Sequence, residues 1–158
     1  MRTKTISVTK EKESTTPIIN IRKGRLSYLD RLISLSKRTK ELTDHNGEIM
    51  GKRIFRKWIK EGFCLVLEKN GEINGFIIGE YHKNSHYSYI LYLVVSPKLR
   101  GKGLGRELIF RYLQECKRHR VKYIDLMTPT TARKTIKFYK KLGFELGHKY
   151  LYCCKKIK

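Results

Sequence analysis

The period of apolar and polar positions changes several times along the chain, and each change predicts an element. Ile18–Arg22 alternates like a short strand just after Pro17. Leu26, Leu29, Leu32 and Ile33 then recur at helical spacing, which predicts an amphipathic helix across residues 25–40. The polar stretch TDHNGE breaks that helix, and a second follows around Glu48–Glu61, with Ile54 and Trp58 four apart. Phe63–Leu67 is an apolar run of strand type. Asn70-Gly71 behind it is a strong hairpin signal, because a type I′ turn needs positive φ at both central positions. Glu72–Tyr81 returns as the partner strand, and Tyr87–Val95 is a third strand after the turn HKNSH. Short loops make this meander antiparallel. Leu104, Leu108, Tyr112 and Cys116 repeat every four residues, which marks one face of a helix. Tyr123–Met127 reads as a strand and Ala132–Leu142 as a helix stopped by Gly143. Phe144–Leu146 and Lys149–Ile157 read as closing strands.

Length and charge narrow the picture. The 158 residues suit one domain, assigned to 17–158, behind a polar, basic tail at 1–16. No apolar stretch approaches the ~18 residues of a membrane span. The start lacks the apolar core of a secretory signal, and Cys64, Cys116, Cys153 and Cys154 form no C-x-x-C pair, so reduced thiols in the cytoplasm are expected. The net charge of +22, from 36 Lys+Arg against 14 Asp+Glu, favours anionic partners: nucleotides, nucleic acid, acidic proteins or anionic lipid.

The candidate chemistry lies in SPKLRGKGLGREL, Ser96–Leu108, where a strand gives way to a helix. Unpaired amides at a helix start and the helix dipole make an anion site there. Glycines let the backbone approach the anion, and Arg100, Lys102 and Arg106 add charge, so a diphosphate is the natural occupant. The letters lack the G-K-[S/T] of a P-loop. A dinucleotide fingerprint fails at Arg106, where the third glycine belongs, and in the antiparallel meander that precedes the loop.

A third pattern fits. VVSPKLRGKGLG resembles motif A of the GNAT superfamily of acyl-CoA-dependent N-acyltransferases, through Val95, Pro97, Arg100, Gly103 and Gly105. TIKFYKKLGFE resembles the family's F-Y-x-x-x-G-F-E segment, through Phe138, Tyr139, Gly143, Phe144 and Glu145. The resemblance covers about Ile18 to Ile157. It implies a mixed α+β fold: a central, mostly antiparallel twisted sheet flanked by helices, in the order β-α-α-β-β-β-α-β-α-β-β. It also implies transfer of an acetyl group from acetyl-CoA to a primary amine by direct attack in a ternary complex, with acetyl-CoA as cosubstrate and no metal.

By the same resemblance, the main chain of Arg100, Gly101, Lys102, Gly103, Leu104, Gly105 and Arg106 holds the diphosphate. The pantetheine arm lies along Leu93, Val94 and Val95, where a backbone N–H near Val94 or Val95 steadies the developing oxyanion. Phe138 and Thr131 fall beside the coenzyme, although relatives often carry an asparagine near Thr130, Thr131 and Ala132; the threonine hydroxyls are expected to cap the helix. Tyr139 matches the tyrosine proposed to protonate the leaving thiolate, and a phenol near pKa ~10 is roughly matched to a thiol. The general base is less evident. The strand YSYILYLVV holds no carboxylate, Tyr89 stands near the position in question, and Glu80 on the neighbouring strand is the nearest acid, with His82 and His86 flanking the turn.

Residues 25–62 and the turn at 82–87 are expected to set acceptor specificity. Tyr28, Phe55 and Trp58 either line the cleft or pack the core. The acceptor is left open among protein N-termini, lysines and small-molecule amines, and the protein is expected to be a monomer or homodimer. A second reading, from the charge, is a GNAT-fold module with weak or no catalysis that contacts RNA, DNA or ribosomes.

Overall fold

The alternating segments assemble into one sheet. A computed structural model describes residues 19–39, 51–149 and 155. The strands are β1 (Ile19–Lys23), β2 (Phe63–Lys69), β3 (Glu72–His82), β4 (Tyr87–Val95) and β5 (Tyr123–Leu126). They lie side by side in sequence order, antiparallel from β1 to β4, with β5 parallel to β4. The helices are α1 (Leu29–Arg38), α2 (Lys52–Glu61), α3 (Leu104–Arg118) and α4 (Arg133–Lys141). Asn70 and Gly71 have φ of 50° and 79°, the double positive that the β2–β3 hairpin needs.

The strand period of two sends side chains to two cores, one on each face of the sheet. Cys64, Val66, Phe76, Ile78 and Val94 pack with Leu29, Leu32, Leu35, Phe55, Trp58 and Ile59 from α1 and α2. Phe63, Leu67, Ile77 and Ile90 pack with Leu108, Ile109, Tyr112 and Cys116 from α3, and with Tyr139 from α4. The predicted repeat Leu104/Leu108/Tyr112/Cys116 is therefore the inner face of α3. Phe55 and Trp58 are core residues.

One expectation changes. Phe144–Leu146 forms no strand; after α4 the chain through Lys149 has no regular structure. The tail at 1–16, the helix start at 48–50 and most of the predicted last strand lie outside the described residues.

A polar thread stitches β3 and β4 to α3. The Tyr112 and Ser88 hydroxyls are 2.7 Å apart, and Ser88 Oγ donates to the Glu80 carbonyl at 2.8 Å, so these buried groups are satisfied. Tyr112 reaches this position because residue 79 has no side chain: a Cβ there would stand 1.9 Å from the Tyr112 hydroxyl oxygen and 2.7 Å from the Tyr89 carbonyl. Gly79→Ala should cost about 3 kcal/mol in urea unfolding, as overpacking of a tight core does. Adding Tyr112→Phe, which deletes the nearest clashing atom, should recover part of that loss.

Candidate active site

The site begins where the sheet comes apart. The β3–β4 register jumps between Ile78↔Tyr92 and Gly79↔Ile90, so Leu91 is an extra residue on β4. Such a bulge bends its strand. Pairing of β4 with β5 ends at the same place, at Ile90↔Leu126. From Leu91 to Val95, β4 keeps β3 on one side and has no strand on the other among the described residues.

Alternation along the ladder decides which main-chain groups face the gap. The Val94 carbonyl lies toward Gly75 of β3, and the Ser96 N–H donates to the Asn74 carbonyl at 2.7 Å. Leu93 and Val95 therefore turn their N–H and C=O groups the other way, into the gap. The Arg100 Nε donates to the Val95 carbonyl at 3.1 Å. This narrows the strand-edge expectation: Val94 is committed to β3, and Leu93 and Val95 face the gap, with the Val95 carbonyl engaged by Arg100.

The glycine loop follows at once. Gly101 and Gly103 sit at φ of 77° and 76°, a region open to glycine at little cost, and the space a Cβ would fill at either one is empty. Gly103 is the N-cap of α3 and has no side chain to occupy the first amides. The first helical bond runs from the Glu107 N–H to the Gly103 carbonyl at 3.1 Å, so the amides of Leu104, Gly105 and Arg106 point out of the helix start. A Cβ on Gly105 would lie 3.6 Å from Phe138 and 3.8 Å from Val95, which shows how closely α4, α3 and the end of β4 converge. Lys102 and Arg106 are exposed around the loop. A bare cradle of outward amides, ringed by cations and continuous with an open strand edge, fits an anionic diphosphate joined to an amide-bearing arm.

Tyr139 lies on the α3 side of the sheet, edge-on to Phe138 and Phe144 at centroid distances of 5.1 and 5.4 Å. Burial pushes its phenol up to about 12. Glu80 lies on the opposite face, because its Oε1 accepts the indole N–H of Trp58, a residue of the α1/α2 core, at 2.9 Å. His82 Nε2 is 3.5 Å from Glu80 Oε2. Glu80, Tyr89 and Asp125 occupy one rung across β3, β4 and β5. Burial raises the Tyr89 phenol, opposed by a hydrogen bond from the Met127 backbone and reinforced by the Asp125 and Glu80 charges. Asp125 as an acidic neighbour of Glu80 is not evident in the sequence. The register that joins them depends on a parallel crossover, which local spacing does not reveal.

The sheet thus separates Glu80 from Tyr139, and the gap beyond Ile90 is the place where a molecule would reach both faces. Thr131 is exposed, with its carbonyl accepting from the Arg133 N–H at 2.9 Å. Ala132 is the N-cap of α4 and no side chain caps that helix, contrary to the threonine expectation.

The acetyltransferase (GNAT) family pattern matches residues 29–144. The chain belongs to the GNAT family of acetyltransferases. It is 29% identical over 102 residues to an uncharacterized N-acetyltransferase of Methanocaldococcus jannaschii, covering 59% of this chain and 45% of that protein. It is 37% identical over 83 residues to an acetyltransferase of Pectobacterium atrosepticum, covering 51% and 56%. The chain thus spans about half the length of these curated relatives. Among solved structures, an aminoglycoside N-acetyltransferase in complex with CoA superposes with a TM-score of 0.73 at 14% identity, covering 91% of this chain and 99% of that one. The ribosomal-protein-S18-alanine N-acetyltransferase of Escherichia coli superposes with a TM-score of 0.68 at 18% identity, covering 83% and 80%. These likenesses define the fold. Among the described residues, no helix is long and apolar enough to cross a membrane.

Proposed function

We propose that this protein transfers the acetyl group of acetyl-CoA to a primary amine by direct attack, with both reactants bound at once. The observation that carries the reading is the continuity of the bare glycine loop with a β4 edge that no strand among the described residues covers. Acetyl-CoA, when bound, supplies an activated acyl group. The loop amides between Arg100 and Arg106 hold its diphosphate, and the Leu93 and Val95 main chain aligns its arm along the gap. The Val95 N–H, turned into the gap, is the group placed to stabilise negative charge on a carbonyl oxygen.

Glu80 is the proton acceptor for the attacking amine, which must be neutral to react. The Trp58 indole fixes one of its oxygens and leaves the other toward His82. Tyr139 serves the departing thiolate from the far side of the gap. Its raised pKa alters the sequence expectation: at about 12 the phenol is a weaker acid than an ordinary tyrosine and is no longer matched to a thiol. It therefore acts first as a hydrogen-bond donor to the charge that builds on sulfur. Thr131 and Phe138 flank the coenzyme end of the site. The acceptor is a primary amine, on a small molecule or a protein; the relatives include an enzyme for each kind.

The test is calorimetric titration with acetyl-CoA, followed by a thiol-release assay over a panel of amines, N-terminal peptides and lysine peptides. Heat of binding and amine-dependent release of free thiol are expected. Absence of both would refute the reading.

A further inference from the structure

The outer side of α2 carries Arg53, Arg56, Lys57 and Lys60. Their spacing of i, i+3, i+4 and i+7 gathers all four on one helix face. That face is opposite the buried stripe Phe55, Trp58 and Ile59. All four are exposed, and none has an ion pair or side-chain hydrogen bond among the described residues. The next cation, Lys52, is already engaged by Asp30 at 2.6 Å. The four charges fall within about 10 Å of helix length, a local density that repels itself unless an anion lies across it.

We propose that this stripe docks the phosphate backbone of a nucleic-acid duplex. Charge complementarity selects that occupant. A duplex offers about one negative charge per 1.7 Å of axis, in an unbroken line that a row of exposed cations neutralises with release of counterions; the one acid of α2 is Glu61 at its C-terminal end. An acidic protein would offer carboxylates only where its own fold places them, whereas any turn of a duplex offers phosphates in line with the stripe. On the opposite side of the sheet, α4 adds Arg133, Lys134, Lys137, Lys140 and Lys141 with no acid among them. The outer face of α2 exposes no aromatic ring, since Phe55 and Trp58 are turned inward, so it lacks the stacking platform that single strands require. The contact is therefore with backbone, and it carries no base reading. The inner side of this helix holds Glu80 through Trp58, so a docked duplex would lie about one helix diameter, ~10 Å, from the amine-binding face.

The test uses the full chain without acetyl-CoA, so it stands apart from the acetyl-transfer reading. A fluorescein-labelled 20-base-pair DNA duplex is titrated by anisotropy at several salt concentrations. Arg53→Gln/Arg56→Gln/Lys57→Gln/Lys60→Gln should weaken binding by two to three orders of magnitude near 0.15 M salt and flatten the log–log salt slope by about 3.6, the effect of four phosphate contacts. Glutamine keeps the helix propensity of the residues replaced, and circular dichroism checks the fold. A control, Lys23→Gln/Lys83→Gln/Lys117→Gln/Lys122→Gln, removes the same net charge from scattered positions and should keep most of the affinity. Equal losses in the two variants would overturn the proposal, because net charge alone would then explain binding. It is also overturned if the duplex does not bind near 0.15 M salt, or if the single strand or polyglutamate binds as tightly.

Discussion

Replacing Gly103 with glutamate is expected to abolish acetyl-CoA binding while leaving the fold in place. Gly103 has φ of 76°, so any side chain there costs about 1–2 kcal/mol in the left-handed region. The Cβ itself meets nothing within 4 Å, so the protein tolerates it sterically. The proposed ligand would not, because the space over the glycine is where the diphosphate is proposed to sit. The carboxylate adds like charge at the point where the amides of Leu104 to Arg106 attract an anion. Calorimetry should show at least a 100-fold loss of affinity, with a melting temperature only a few degrees lower. Gly103→Ala separates the parts: it carries the backbone strain without the charge and should retain measurable binding. Unchanged affinity in Gly103→Glu would remove the loop from the coenzyme site.

Tyr139→Phe should lower kcat by about 10- to 100-fold with little change in coenzyme affinity, since the hydroxyl is proposed to act on sulfur as the bond breaks. The pH profile gives a second readout. The folded-state pKa is raised, from 10 to about 12, by burial. The phenol is therefore a complete hydrogen-bond donor below the usual tyrosine value and loses its proton only as pH rises through about 12. Rates measured between pH 6 and 9 should then rise with deprotonation of the acceptor side and show no fall due to Tyr139. The phenylalanine variant should keep the same profile shape at a lower level. A wild-type decline in that window that disappears in Tyr139→Phe would mean the tyrosine titrates during turnover and is not held as argued.

Much of this arrangement was readable from local chemistry. Asn70-Gly71 placed the hairpin because only a few residues accept two positive φ values in succession. Tyr87–Val95 was located to the residue, since an apolar run bounded by two turns leaves a strand little freedom. The loop from Arg100 to Arg106 was legible because glycine and cations at a strand–helix junction have few other uses. What stayed hidden depends on register. The extra residue at Leu91 has no signature in YSYILYLVV, yet it decides that Leu93 and Val95 face the gap and Val94 does not. Glu80 stands out in the sequence only as the nearest acid, and its bond to Trp58 joins residues 22 apart across a helix–sheet contact. Phe144–Leu146 shows the opposite failure. Its apolar letters suit a strand, but they pack Phe144 against Tyr139 and form no ladder.

Four rungs, Tyr87 to Ile90, fasten β5 to the rest of the sheet, and they lie at one end only. Past Ile90, β4 has a described strand on one side only. A carrier arm seated there, as proposed, would act as a keystone: it would take the place of the strand that β4 lacks on that side, so part of the order that aims the reactants would come from the reactant itself.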